Sequence, residues 1–416
     1  MKTKQLLMMA ALFLTSAVSL TSCEGTLDDI FGEWDKPSSG SSAGGGSSTI
    51  NATAISLKQT MKVIKLDGDA FTITAEVTPS DATVTWTSDD EVVATVNNGV
   101  VTPVGLGIAT ITAKAGDKEA TCEVFVGTEV DLSTIGADYA VNDYDILSGN
   151  IGDHYININM ITGGYHVAFD GITTTKGIAC TGDATIYLID GKTNTVSSTE
   201  NNKPGIWIGI SDKTFTINAE TEGTGILNAT GGPGGAGIGN GGPTSGSNES
   251  GNITINGGKI TANGGAGAAG IGTGKAENGN NKCGAITIEG GEVTAKGGSN
   301  AAGIGTGEAN GRNNTCGAIT INGGTVTATG GNNAAGIGTG YSIDGGMSNP
   351  ASNNCGAITI TTGVTSVTAT KGSGSPNSIG EGNDEGAQAC GTITIGGDAT
   401  TYAGGVDTSP FTYPAP

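Results

Sequence analysis

The feature that most constrains this chain is a glycine-rich repeat in its C-terminal half. Residues 283–307 read CGAITIEGGEVTAKGGSNAAGIGTG, and residues 316–340 repeat that pattern almost unchanged. Related copies begin at Ser250, Cys355 and Cys390, so that successive copies start 33, 33, 39 and 35 residues apart. Units repeated at such a period stack in a row, because no single unit can bury a core alone.

Each copy contains three short segments with strand character. In residues 283–307 these segments are AITI, EVTA and AGIG, and glycine-rich turns separate them. Three strands and three corners per turn are typical of a parallel β-helix. Alternation along the strands predicts which side chains are internal. Those expected inside are Ile286, Ile288, Val293, Ala295 and Ile304, and those expected outside are Thr287 and Thr294.

Stacking of the copies predicts columns of identical side chains along the rod. The first isoleucine of each AITI-type strand belongs to one column, which consists of Ile253, Ile286, Ile319, Ile358 and Ile393. Weaker copies in residues 129–249 place further strands near positions 155, 185 and 215, which gives about eight coils. The sequence therefore predicts an all-β chain in which residues 129–416 form a parallel β-helix with a C-terminal cap. The segments 275–282, 308–315 and 341–354 interrupt the repeat at one point and are predicted to project as loops on one side.

Four cysteines occupy one position of the repeat and are predicted to be structural. They are Cys283, Cys316, Cys355 and Cys390, with Ser250 in the preceding copy. Neighbouring rungs lie about 4.8 Å apart, so the first and last cysteines would be about 14 Å apart and could not surround one zinc ion. The same spacing falls within the range that a disulfide spans. A stack of thiols and disulfides between adjacent rungs are both compatible with the sequence.

Residues 51–128 predict a small β-sandwich, because short alternating strands lie between turn signals. Pro79, Ala82, the WTS at 86–88, the VATV at 93–96 and the GVV at 99–101 resemble the pattern of bacterial Ig-like group 2 domains. This resemblance implies that Trp86 is a core residue rather than a sugar-stacking platform, and that the domain acts as a spacer. Cys122 shares strand parity with apolar neighbours and is expected to be a buried thiol.

The N-terminal residues have the features of an export signal and a tether. Lys2 and Lys4 precede an apolar run, and residues 1–22 are predicted to be a signal peptide that is too short for a membrane span. The LTSC ending at Cys23 resembles a bacterial lipobox, which implies lipidation of Cys23 and a membrane anchor. Residues 23–50 are acidic and then Gly/Ser-rich, as in a flexible linker. The acidic cluster resembles the surface-export signal of Bacteroidetes lipoproteins, which implies exposure at the outer membrane.

The charged residues argue against several functions. The formal net charge is −21, and the chain contains one arginine, Arg312, and two histidines. This strongly acidic composition argues against nucleic acid or anionic lipid head groups as partners. The two histidines leave little material for acid/base chemistry. Polysaccharide lyases need a basic residue beside the bound sugar, and glycosidases need a positioned carboxylate pair. The carboxylate pairs available, Glu289 with Glu292 and Asp384 with Glu385, are expected on outward or loop positions. We therefore expect no enzyme activity, no cofactor and no metal.

The repeats resemble those of carbohydrate-binding β-helix domains of Bacteroidetes surface proteins. That resemblance implies a surface module that binds neutral glycan, and aromatic residues gather in the irregular N-terminal coils. The candidate ligand-binding residues are Trp207, Tyr165, Tyr155 and Tyr187. Tyr187 and Trp207 could equally fill an irregular core. The alternative is a structural or adhesive stalk that contacts a surface protein.

Overall fold

The computed structural model describes residues 51–159, 161, 163–221, 224–242, 246–343, 352–384, 389–398 and 405–414. These residues form β-strands and a single 3-10 turn at Leu132–Thr134. Signal peptide, Cys23 and linker, all predicted for residues 1–50, lie outside the described residues. The all-β prediction is confirmed, with an Ig-like sandwich followed by a parallel β-helix.

The Ig-like sandwich consists of two strand layers around a small apolar core. Its strands are Ala54–Leu57, Met61–Lys65, Phe71–Thr72, Ala75–Thr78, Thr85–Ser88, Ala94–Asn97, Val100–Pro103, Gly107–Ala115 and Lys118–Asp131. Ile73, Val101 and Ile111 are buried between the layers, and Trp86 packs against this core as expected. Cys122 is fully buried, and its burial raises the pKa of the thiol to about 12.

The last strand of the sandwich continues without a break into the β-helix. The first part of Lys118–Asp131 pairs antiparallel with Gly107–Ala115, and its middle pairs parallel with Met61–Lys65. The last four residues of the strand, 128–131, pair in parallel with residues 145–148 of the first coil. Phe125 in this strand is fully buried and packs against Ile146 and Tyr187 of the β-helix. One strand therefore belongs to both sheets.

The β-helix has three faces, which we number by their order within a repeat. The first face contains Asp145–Gly152, Tyr165–Thr174, Ala184–Leu188, Thr214–Ala219, Asn252–Ile255, Ile286–Ile288, Ile319–Ile321, Ile358–Ile360 and Ile393–Ile395. The second contains the end of Tyr165–Thr174 and then Thr193–Ser197, Ile226–Thr230, Lys259–Asn263, Glu292–Lys296, Thr325–Thr329 and Ser366–Thr370. The third contains Tyr139–Ala140, Ile156–Ile158, Ile178–Cys180, Ile206–Ile208, Ile238–Gly239, Ile271–Gly272, Ile304–Gly305, Ile337–Gly338 and Ile379–Gly380. Phe411–Tyr413 runs antiparallel beside the last strand of the second face.

The inward and outward assignments of the repeat are confirmed. Ile286, Ile288 and Ile304 are fully buried, and Val293 and Ala295 are 1% exposed. Thr287 is partly exposed and Thr294 is exposed. The column of first isoleucines is in register from Ile253 through Ile393. Each of these side chains contributes roughly 1.5 to 3 kcal/mol on burial, so the columns are the main source of the rod's stability.

One detail of the coil assignment is wrong. The Ile-Asn-Ile pattern of Ile156–Ile158 predicts a strand of the first face, but this strand pairs with Tyr139–Ala140 and Ile178–Cys180 on the third face. Its Ile-Asn-Ile pattern satisfies either face, and only the pairing partners distinguish them. The third face has nine strands among the described residues, since the strand at Tyr139–Ala140 begins a further rung.

The interruptions of the repeat are not free loops where the structure describes them. They contribute two small stacked sheets beside the third face. The strands of one are Asn248–Glu249, Asn281–Lys282, Asn314–Cys316, Asn353–Cys355 and Ala389–Cys390, and those of the other are Ala276–Glu277, Ala309–Asn310 and Ser342–Ile343. Interruptions at the same point of successive copies can pair with one another, which explains the strands they form.

Candidate functional site

Trp207 lies in the middle of a third-face strand with its indole turned outward. Its neighbours Ile206 and Ile208 are buried, whereas Trp207 is partly exposed. The indole Nε1 donates a hydrogen bond to Asn240 Oδ1 at 2.6 Å. A Cβ atom on Gly209 would lie 2.3 Å from the indole Cζ2. Glycine at that position therefore lets the indole lie along the strand, and Asn240 fixes its orientation.

Two cavities adjoin the indole of Trp207, and both are also lined by Lys203 and Pro204. The first has a volume of about 230 Å³, and the second has a volume of about 200 Å³. The first is further lined by Asn202, Asn240, Gly241, Gly242, Ser247 and Asn248, and the second by Tyr155, Asn157, Lys176, Ile178 and Ala179. We call these two cavities together the Trp207 groove. The groove combines an aromatic ring with several amides and hydroxyls, which is the composition of a site for a polar organic ligand.

One wall of the Trp207 groove carries a charged cluster. Glu200 accepts hydrogen bonds from the Tyr155 hydroxyl and from Lys176 Nζ, each at 2.5 Å. Lys176 also pairs with Asp153 at 3.3 Å. Burial and the hydrogen bond to Glu200 raise the pKa of Tyr155 to about 12. The Lys176 and Tyr155 hydrogen bonds lower the pKa of Glu200. At neutral pH the hydroxyl of Tyr155 is thus neutral, while Glu200 is ionised and already paired.

Two of the four aromatic candidates do not reach this groove. Tyr187 is 3% exposed and packs against Phe125, with ring centroids 5.0 Å apart. Tyr165 is 8% exposed and belongs to the main core of the rod. Neither ring presents a face to solvent, so their proposed part in ligand binding is wrong. Tyr165 packs inside the rod, whereas Tyr187 packs at the contact between the rod and the Ig-like domain.

The sequence did not single out Lys203, Pro204 and Asn240 as groove residues. They lie in turns beside the third face, where sequence patterns carry little information about spacing. The only sequence feature that could have indicated them is that each lies in an irregular segment close to a strand of the third face. Tyr155 and Trp207 line the same cavity, although the strand Ile178–Cys180 lies between their rungs.

The four repeat cysteines form a column of free thiols. Cys316 pairs in register with Cys355, and Cys355 with Cys390. Ser250 Oγ lies 3.7 Å from Cys283 Sγ and extends the column by one rung. Cys283, Cys316 and Cys355 are at most 2% exposed, whereas Cys390 is partly exposed. We call these four residues the thiol column.

Of the carboxylates considered for catalysis, those that the structure describes form hydrogen bonds or ion pairs with other residues. Glu289 accepts two hydrogen bonds from Asn322 at 3.1 Å, and Glu292 pairs with Lys259 at 2.8 Å. Asp384 accepts a hydrogen bond from the backbone of Asn353, and Glu385 lies outside the described residues. Arg312 is exposed. In the described part of the chain, no group of three or more His, Cys, Asp or Glu side chains is arranged to hold a metal ion.

Together, the fold and the groove define a class: an Ig-like domain joined to a parallel β-helix whose first coils carry an aromatic groove. Family comparison agrees with both parts. Residues 51–124 match the bacterial Ig-like domain (group 2), and residues 253–275, 286–308 and 319–341 match the β-helix repeat. The chain therefore carries a group 2 Ig-like domain followed by β-helix repeats.

A search of curated proteins found no significant relative. The two domain types are consistent with a surface protein that adheres or binds carbohydrate. β-Helix repeats occur in enzymes and in proteins without activity. The described residues include no helix that is long and apolar enough to cross a membrane.

Proposed function

We propose that this chain is a non-catalytic surface lipoprotein that binds a neutral glycan in the Trp207 groove. Lipid on Cys23 would anchor the protein to the bacterial outer membrane, and the folded part would be exposed at the cell surface. The linker of residues 23–50 would hold the folded part away from the membrane, and the Ig-like domain would act as a spacer.

The observation that carries this proposal is the position of the Trp207 indole between two cavities. Sugars present C–H faces that stack on aromatic rings and hydroxyls that hydrogen-bond to amides. Asn157, Asn202 and Asn240 line the groove on both sides of the indole. The hydrogen bond from Trp207 to Asn240 fixes the orientation of the indole ring in the absence of ligand. Less conformational entropy is therefore lost when a ligand binds.

The charges of the groove support binding rather than hydrolysis. A glycosidase requires one carboxyl group that is protonated and a second that is ionised. Glu200 is held ionised by Lys176 and Tyr155, and Asp153 is engaged by the same lysine. Lys176 pairs with both carboxylates, which leaves the cluster with one net negative charge.

A glycan array probed with the mature protein tests the proposal. Ligands found on the array are then titrated into the parent protein and into Trp207→Ala. Because Trp207→Ala removes the ring on which the sugar stacks, it should raise the dissociation constant by about fivefold to tenfold.

Thr294→Ala is the matched control, because Thr294 is exposed on the second face of a regular rung far along the chain from the groove. It should bind like the parent protein. Equal binding by Trp207→Ala and the parent would place the site elsewhere. Absence of any glycan ligand would favour the stalk that contacts a surface protein.

A further inference from the structure

The end of the thiol column differs from the rest of it in access to solvent. Cys390 lies on the last of the five stacked insert strands and is partly exposed, while its in-register neighbour Cys355 is 1% exposed. Paired parallel strands place such residues about 4.8 Å apart, within the Cα range that a disulfide spans. An oxidant from solvent therefore meets Cys390 first, with a second thiol directly behind it.

A buried carboxyl group lies against this end of the column. Glu381 is 3% exposed, and its Oε1 atom has no hydrogen-bond partner among the described residues. Its charge acts on both Cys355 and Cys390. Glu381 directly follows Gly380, where an added Cβ atom would lie 3.6 Å from Cys390 Sγ. A buried, unpaired carboxyl oxygen is costly to maintain in a fold, so its position beside two thiols calls for a chemical role.

The protonation states suit proton exchange at this position. Burial raises the pKa of Glu381 to about 7. Hydrogen bonds from Cys316 and Cys390 lower the pKa of Cys355, and the hydrogen bond to Cys355 raises the pKa of Cys390, so within this pair the proton stays on Cys390. A thiolate is the reactive form of cysteine, and the carboxyl group can both give and take a proton near neutral pH.

We propose that Cys390, Cys355 and Glu381 form a peroxide-reactive dithiol site at the exposed end of the thiol column. The Cys390 proton passes along its hydrogen bond to the Cys355 thiolate while the Cys390 sulfur attacks one peroxide oxygen. The O–O bond breaks, and the departing oxygen takes the Glu381 proton and leaves as water. Cys390 becomes a sulfenic acid, facing a Cys355 thiol and a Glu381 carboxylate.

The second step closes the disulfide. Cys355 gives its proton to Glu381, and its sulfur attacks the Cys390 sulfur. The S–O bond breaks, and the oxygen takes the proton from Glu381 and leaves as a second water. Both sulfurs are oxidised and one hydrogen peroxide is reduced to two waters. Cys316 is the next thiol after Cys355 along the column. Its thiol can therefore exchange with the Cys355–Cys390 disulfide and move the disulfide one rung inward.

Treatment of the reduced, full-length protein with hydrogen peroxide, followed by peptide mapping without reductant, tests the site. The first disulfide should join Cys355 to Cys390, and Cys122 and Cys180 should stay reduced. The variant Cys355→Ser should stop at a sulfenic acid on Cys390, which a 1,3-dione reagent labels. Glu381→Gln should slow disulfide formation by about a hundredfold.

Cys283→Ser is the matched control, since it removes a thiol at the far end of the same column and should leave the rate unchanged. Mapping of the unaltered chain carries the test even where a variant fails to fold. A first disulfide elsewhere in the column, or no oxidation of the folded protein, would overturn the site. An unchanged rate in Glu381→Gln would overturn the role given to Glu381.

Discussion

Neighbouring residues in the strands of the rod face opposite environments. Ile319 is fully buried in a column of isoleucines, whereas Thr320, the next residue, is partly exposed on the outer surface. An unpaired charge in the column cannot reach water, so Ile319→Asp should lower the free energy of unfolding by several kcal/mol. Thr320→Asp should change it by less than about 0.5 kcal/mol. Chemical denaturation measures both, and equal midpoints would contradict the inside and outside assignment.

Glu381 makes the stability of the chain depend on pH in a defined direction. Burial raises its pKa from an ordinary value of 4.5 to about 7 in the folded state. Below pH 4.5 the group is protonated in both states and has no effect. As pH rises toward 7, the unfolded chain loses the proton first, so the folded state is progressively destabilised, and the full penalty persists above pH 7. At roughly 1.4 kcal/mol per pKa unit, that penalty is on the order of 3 kcal/mol.

Glu381→Gln isolates this contribution, because glutamine is neutral at every pH. Relative to the parent protein, the variant should gain about 3 kcal/mol between pH 4 and pH 8. Unfolding free energies at a series of pH values provide the comparison. Parallel curves for the two proteins would show that the carboxyl group is not buried as described.

At the scale of elements, the insert strands contribute a column of buried amides. Asn281 Nδ2 donates to Asn314 Oδ1, and Asn314 Nδ2 donates to Asn353 Oδ1, each at 3.1 Å. All three side chains are fully buried. Such a chain of amides satisfies polar groups that the short insert strands would otherwise leave without partners.

Removal of the central amide should leave its neighbours unsatisfied. Asn314→Ala should therefore cost about 1 to 3 kcal/mol of stability, measured by urea denaturation. Asn322 is the matched control, since its amide bonds to Glu289 near the surface. Asn322→Ala should cost less than about 0.5 kcal/mol. A similar loss of stability in both variants would show that the buried asparagine column contributes no more than a surface amide.

The elements also show what a sequence pattern can and cannot reveal. Period-two alternation and the identical repeats were sufficient to predict that Ile319 is internal and Thr320 external. The same rule could not place Ile156–Ile158, because its face is decided by pairing partners and not by its own residues. The asparagines of the inserts are typical turn formers in sequence, and their burial depends on pairing between the inserts of neighbouring copies. Trp207 was predicted as a candidate, but Lys203 and Asn240 join it from turns whose geometry only the folded backbone defines.

At the scale of the whole folded unit, the Ig-like domain and the β-helix share a strand and a core. Glu220 of the β-helix is 2% exposed and pairs with Lys62 of the sandwich at 2.9 Å. Its two carboxylate oxygens also accept backbone hydrogen bonds from Val63 at 2.7 Å and from Asp190 at 3.0 Å. One buried side chain therefore joins the sandwich to the rod.

This joint should make the two domains unfold together. Glu220→Ala leaves two backbone donors without a partner and should cost about 2 to 3 kcal/mol. Calorimetry should then show the sandwich melting separately from the rod. Glu129→Ala is the matched control, because its pair with Lys65 at 2.6 Å is exposed and should contribute little. A single unchanged transition in Glu220→Ala would contradict the role of this contact.

The account rests most heavily on the location of the ligand site, which hydrogen–deuterium exchange can map without any substitution. The protein is compared alone and saturated with the best ligand from the glycan array. We predict slower exchange confined to the residues that border the Trp207 groove, with residues 285–296 unchanged. The bordering residues are 155–157, 176–179, 202–208, 240–242 and 246–249. Protection along the regular repeats with none at the groove would contradict the account.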